Sequence, residues 1–272
     1  MNLRRLFLMK LTVRNKEMYI IDEGEGPALV FLHGFPFEGS MWINQLDYFK
    51  LSYRVIAPDF RGMGQSQGSK HPFSFEELAE DILALLDNLG IVRFVCCGLS
   101  MGGYVAFSLW RKAPERILAF ILTNTRPDAD TVEGQTKRLH TAGNLLEHGS
   151  NQLVEQMLPN LVAADTKKDN QKLVQDIQNM ILSMDPAGLA HISLAMAFRE
   201  SSIQDLSSIS VPVLIVAGTE DPITPPDVMQ RMADKIPDSQ YVQIDKSAHL
   251  TPLEQPGWFN KQVKSFLKQM FQ

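Results

Sequence analysis

The sequence predicts an α/β fold: a mostly parallel eight-stranded sheet flanked by helices, with a helical insertion after the sixth strand. Short apolar runs alternate with stretches of helical spacing through most of the 272 residues, as expected for parallel strands joined by crossover helices. Between residues 126 and 204 the alternation stops, and helical spacing continues without a convincing strand. At Gly98-Leu99-Ser100-Met101-Gly102 a buried-strand pattern turns directly into a helical one.

Lys10–Val13 and Met18–Asp22, joined by Asn15-Lys16, read as an opening hairpin. Ala28–Leu32 is an apolar strand, Met41–Phe49 a helix and Tyr53–Ala57 a strand. The helix Phe75–Leu89 begins with Ser74 and Glu77 at capping-box spacing and stops at Gly90. Phe94–Cys97 is a strand buried on both faces. After it Val105, Ala106, Leu109 and Trp110 recur at helical spacing as far as Pro114. Leu118–Thr123 is the sixth strand. Val213–Ala217, a helix near Pro226–Lys235, Gln240–Ile244 and a last helix, Trp258–Phe271, complete the series. Residues 1–125 and 205–272 thus make the core, and residues 126–204 a cap, with helical spacing in Leu153–Leu158, Leu173–Met184 and Leu189–Phe198. An insertion at the carboxyl end of a strand lies over the place where open α/β sheets bind ligands, so it is expected to act as a lid.

With 44% apolar residues the chain can bury a large core as one domain with an insertion. A net charge of −5 argues against nucleic acid as the main partner, and no window reaches the length of a transmembrane span. Met1 to Met9 combine a basic patch with an apolar run too short for a secretory signal, and no small-residue cleavage site follows. They read as an irregular extension of a cytoplasmic protein. Cys96 and Cys97 are adjacent in a buried strand, which makes a disulfide between them implausible, and neither sits in a metal-ligand pattern.

A serine on a sharp strand-to-helix turn is the setting of a nucleophile elbow. Gly98 and Gly102 lack the side chains that would collide there, Gly103 lets the helix approach the sheet, and the amide of Met101 points at a developing negative charge. A nucleophilic serine needs a base, the base an orienting acid, and the oxyanion its donors. Each follows a predicted strand. His249, in Lys246-Ser247-Ala248-His249-Leu250-Thr251-Pro252, is the candidate base. Asp221, in Gly218-Thr219-Glu220-Asp221-Pro222, is the candidate acid, with Glu220 and Asp245 as rivals. His33-Gly34-Phe35-Pro36 follows the Ala28–Leu32 strand and would aim the Phe35 amide at the oxyanion beside that of Met101.

Taken with Asp59-Phe60-Arg61-Gly62-Met63-Gly64-Gln65-Ser66, these segments resemble the α/β-hydrolase fold superfamily over nearly the whole chain, the insertion being the least recognisable part. Within it the chain is similar to small carboxylesterases, 3-oxoadipate enol-lactonase-like hydrolases and cofactor-free haloperoxidase-like perhydrolases. The resemblance implies a Ser100–His249–Asp221 triad, no cofactor, no metal, and a small ester or lactone as substrate; the oligomeric state stays open. Ser100 stands where haloalkane dehalogenases and epoxide hydrolases carry aspartate, which argues against those activities. Phe35 stands where many perhydrolase-like relatives have tryptophan. Some members carry the acid after the earlier strand, but Asn124 occupies that region here. Enol-lactone opening, carbon–carbon bond hydrolysis and perhydrolysis are alternatives on the same site, and a ligand-binding receptor on the same fold is one of another class.

Other features have ordinary readings. His33 is expected to bond within its own loop, and His71, His140, His148 and His191 lack partners at recognisable spacing. Gly62-Met63-Gly64-Gln65-Ser66-Gln67-Gly68 has the wrong spacing for a dinucleotide loop, and Asp59 and Arg61 are expected to pin it. Arg126 and Arg199 could meet a substrate carboxylate but are more often structural. Met157, Met180, Met184 and Met196 suit either an apolar pocket or helix packing. The last helix, with Trp258, Phe259, Val263, Phe266 and Leu267, is expected to pack on the sheet rather than meet a membrane.

Overall fold

The computed structural model describes residues 8–271. Eight strands form one sheet: β1 (Leu8–Val13), β2 (Lys16–Glu23), β3 (Ala28–Leu32), β4 (Arg54–Pro58), β5 (Phe94–Leu99), β6 (Ile117–Thr123), β7 (Val213–Gly218) and β8 (Ser239–Ile244). Their spatial order is β1-β2-β4-β3-β5-β6-β7-β8, with β2 antiparallel to both of its neighbours, β1 and β4, and every other pair parallel. The irregular reading of Met1 to Met9 is corrected in part: Leu8 and Met9 belong to β1, paired with Ile21 and Ile20. Residues 1–7 lie outside the described residues.

Helices α1 (Ile43–Phe49), α2 (Phe75–Asn88), α3 (Met101–Lys112), α9 (Pro226–Ala233), α10 (Thr251–Glu254) and α11 (Pro256–Met270) belong to the core. Every residue of β3, β5 and β7 is buried, which is why these strands read as unbroken apolar runs. Edge strand β8 is mostly half-exposed. The capping box of α2 forms as expected: the Glu77 amide donates to Ser74 Oγ, and the Ser74 amide donates to the Glu77 carboxylate. On α11, Phe259, Val263, Phe266 and Leu267 are buried with Asn260. Trp258 instead faces outward, 56% exposed, under the Lys261 ammonium. No single described helix is long and apolar enough to cross a membrane.

The chain leaves β3 for β4 on one side and reaches β5 on the other. The crevice at the carboxyl ends of β3 and β5 is therefore the topological switch point at which open α/β sheets bind ligands. Between β6 and β7 lie five helices: α4 (Val132–His148), α5 (Asn151–Leu161), α6 (Ala164–Asp169), α7 (Gln171–Ser183) and α8 (Pro186–Ala197). The first turn of α8 presses against the loop after β4. A Cβ placed on Gly188 would lie 1.8 Å from the carbonyl oxygen of Gly62, so two backbones meet there. Beside this contact the Gly64 amide donates to Met184 Sδ at 3.3 Å. Gly188→Ala must push the helix off the core and is expected to cost about 1–3 kcal/mol, measurable as a lower urea midpoint.

Candidate active site

The loops after β3, β5, β7 and β8 carry the candidate residues at the carboxyl edge of the sheet. Ser100 lies between β5 and α3 with φ 51° and ψ −109°, a backbone that costs a non-glycine residue about 1–3 kcal/mol. It is held there through its main chain. The Ser100 amide donates to the Thr123 carbonyl at 3.0 Å, and its carbonyl accepts from the Gly103 amide and from Thr125 Oγ1. Among the described residues Ser100 Oγ makes no hydrogen bond, to His249 or any other group. Such bonds are often long before substrate binds.

Close packing explains the flanking glycines. A Cβ on Gly102 would meet the Leu32 carbonyl oxygen at 2.1 Å, and one on Gly98 would meet the Gly102 carbonyl at 2.6 Å. Gly34 in turn lies against Leu99, whose side chain a Cβ there would touch at 3.0 Å. The elbow and the loop after β3 are therefore pressed together. The amides of Phe35 and Met101, both in buried residues, donate to no acceptor among the described residues. Unspent N–H groups beside a serine are what an oxyanion hole requires.

His33 supports this loop from below. The Phe60 amide donates into its Nε2 at 3.0 Å, which leaves the proton on Nδ1, donating to the Gly34 carbonyl at 2.9 Å. Burial drives the imidazole pKa down to about 4, so this tautomer stays neutral. Asp59 pins the neighbouring loop, accepting from the Gly39 and Gln65 amides at 2.8 and 3.0 Å. Arg61 grips Asp81 on α2 with two bonds, of 2.9 and 2.8 Å. All three side chains are engaged within the protein.

His249 and Asp221 are brought together, Nδ1 donating to Oδ2 at 2.8 Å, both side chains almost fully buried. Glu220 instead faces the Ala164 amide, and Asp245 makes no contact with the imidazole. Asp221 Oδ2 also accepts from Thr224 Oγ1 at 2.5 Å and Asn124 Nδ2 at 2.9 Å, and Oδ1 accepts from the Ile223 and Thr224 amides. Burial pushes this carboxyl up, but the imidazole and the hydrogen bonds from His249, Thr224 and Asn124 outweigh it. They hold Asp221 well below the usual carboxylate range. An ionised acid keeps the proton on Nδ1 and the Nε2 lone pair free.

Asn124 and Thr224 are the residues that sequence reading missed. In the sequence Asn124 reads only as the residue standing where some relatives carry the acid. It is fully buried at φ 45°, a conformation asparagine tolerates, and also donates to the Ala248 carbonyl at 3.0 Å, tying acid and histidine loop together. Asn124→Ala is expected to lower kcat about tenfold and stability by about 1–3 kcal/mol, read from ester kinetics and thermal melts. Arg199 has the structural role that is the commoner of its two readings: it is buried, paired with Asp130 at 2.7 Å and stacked 4.3 Å over the Tyr104 ring. Arg126 is likewise engaged, donating to the Ile223 carbonyl. Among the described residues no cluster of His, Cys, Asp or Glu could hold a metal ion, and both cysteines are free and buried.

A family model described as the alpha/beta hydrolase fold matches residues 27–256. The chain belongs to the α/β-hydrolase family. Among curated proteins it is 30% identical over 246 residues to 3-oxoadipate enol-lactonase 2 of Acinetobacter baylyi, covering 90% of both chains. Among solved structures it resembles a thermophilic esterase from Thermogutta terrifontis, at 35% identity and TM-score 0.94 over 97% of this chain and 98% of that one. An enol-lactonase from Burkholderia xenovorans LB400 matches at 28% identity and TM-score 0.89, over 96% and 100%.

Proposed function

We propose that this α/β-hydrolase cleaves small carboxylic esters or lactones through an acyl-enzyme on Ser100. The observation that carries the reading is the buried hydrogen bond from His249 Nδ1 to Asp221. It is supported by the strained backbone of Ser100 at its strand-to-helix turn and by Phe35 and Met101 amides without an acceptor among the described residues. The esterase and enol-lactonase relatives support the substrate class.

In this mechanism Oγ of Ser100 attacks the carbonyl carbon and gives its proton to His249 Nε2. The carbonyl oxygen becomes an anion held by the Phe35 and Met101 amides. Asp221 stabilises the imidazolium without taking its proton. Collapse breaks the ester C–O bond, and the departing alkoxide receives the proton from His249. Water then repeats the sequence on the acyl-enzyme and releases the acid. With a lactone the leaving alkoxide stays tethered to the acyl group until water frees the hydroxy acid.

A specialised enol-lactonase is the second reading, favoured by the two named enol-lactonases. The test is turnover of p-nitrophenyl esters of graded chain length by wild type and Ser100→Ala near pH 8. Ser100-dependent turnover peaking at short chains supports an esterase. Inert simple esters beside rapid Ser100-dependent lactone opening support the second reading. Tight ligand binding without turnover overturns both in favour of a receptor.

A further inference from the structure

The catalytic-histidine loop is bonded directly to the helical insertion, through one side chain that the mechanism above does not use. Glu254, five residues after His249 at the end of α10, spends both carboxylate oxygens on donors from two parts of the fold. Oε2 accepts from the Ala163 amide and from Thr166 Oγ1, both at 2.7 Å, at the start of α6. Oε1 accepts from the Ala248 amide at 2.7 Å, next to the histidine. A second tie runs parallel to it. The carbonyl of Leu161, one of the orphan carbonyls in the last turn of α5, accepts from the amides of His249 and Leu250, both at 3.1 Å.

We propose that Glu254 is a positioning residue whose carboxylate clasps residues 161–166 of the insertion to the His249 loop, so that the histidine is correctly placed only while the insertion is docked. This rests on the serine-hydrolase reading. The chemistry favours a carboxylate here because all three partners are donors. An ionised acid offers acceptors alone, whereas a glutamine must turn its NH2 towards one of them. An insertion displaced by substrate entry or product release therefore pulls on the catalytic base. A 1 Å misplacement of a reacting group costs about a hundredfold in rate.

The test compares wild type, Glu254→Gln, Thr166→Val and Ser100→Ala in steady-state ester or lactone kinetics and amide hydrogen exchange, all well below their melting temperatures. The expected result for Glu254→Gln is a kcat lower by about ten- to a hundredfold. Residues 161–166 and 246–250 should lose exchange protection together while β5 keeps its own. Thr166→Val removes a single donor on the insertion side and should shift both readouts less, in the same direction; it carries the test should Glu254→Gln fail to fold. A purely structural role would lower the melting temperature and leave kcat unchanged at these temperatures. Wild-type kcat in Glu254→Gln beside an inactive Ser100→Ala overturns the clasp alone, as does loss of protection in only one of the two segments. An active Ser100→Ala overturns the hydrolase mechanism instead.

Discussion

Ser100→Ala is expected to lower kcat by on the order of 10⁶-fold while leaving the melting temperature nearly unchanged. The separation follows from how the residue is held. All its hydrogen bonds run through the main chain, to Thr123, Gly103 and Thr125, and Oγ contributes none. Removing Oγ therefore leaves no buried partner unsatisfied, and alanine keeps the backbone that serine already adopts. Activity and stability measured on the same preparations check both halves of the expectation.

Asp221→Asn should behave in the opposite way, losing both activity and stability. Five hydrogen bonds converge on this carboxylate, and an asparagine amide must direct its NH2 at one of the donors. If the NH2 faces the imidazole, Nδ1 becomes the acceptor and the proton moves to Nε2, which then cannot take one from Ser100. A loss of about 10⁴-fold in kcat is expected. The variant should also change the pH dependence of stability. The folded-state pKa of Asp221 lies below its unfolded value near 3.8. Its contribution is therefore fully present above that value and fades as pH falls from there towards the depressed one. Denaturation curves below about pH 4 should thus lose part of their acid slope in Asp221→Asn. An unchanged slope would argue against the buried, ionised acid.

Much of this site was legible because its chemistry is carried by short segments whose local geometry dictates their residues. The elbow glycines, the His33 loop and the loops after β7 and β8 each follow a strand, so sequence order alone brings them to one edge of the sheet. The insertion was far less readable. Helix α4 spans Val132–His148 yet buries only Ala142 and Leu145, while Val132, Leu139 and Leu146 face outward, so its apolar residues do not mark the packed face. Residues whose roles depend on distant partners were silent for a related reason. Asn124 holds an acid 97 positions away, and Glu254 reaches donors 91 and 88 positions before it. Neither carries a local pattern. The exposed Trp258 shows the same limit: it stands beside the packed Phe259 in the first turn of α11, yet it faces outward under the Lys261 ammonium.

The most direct test of the central claim is mass spectrometry after reaction with a fluorophosphonate, which traps a serine nucleophile covalently. One adduct per chain, on the peptide containing Ser100, with turnover falling in proportion to labelling, is the predicted result. Undiminished turnover by fully labelled protein, or inactivation with the adduct on another residue, would contradict it.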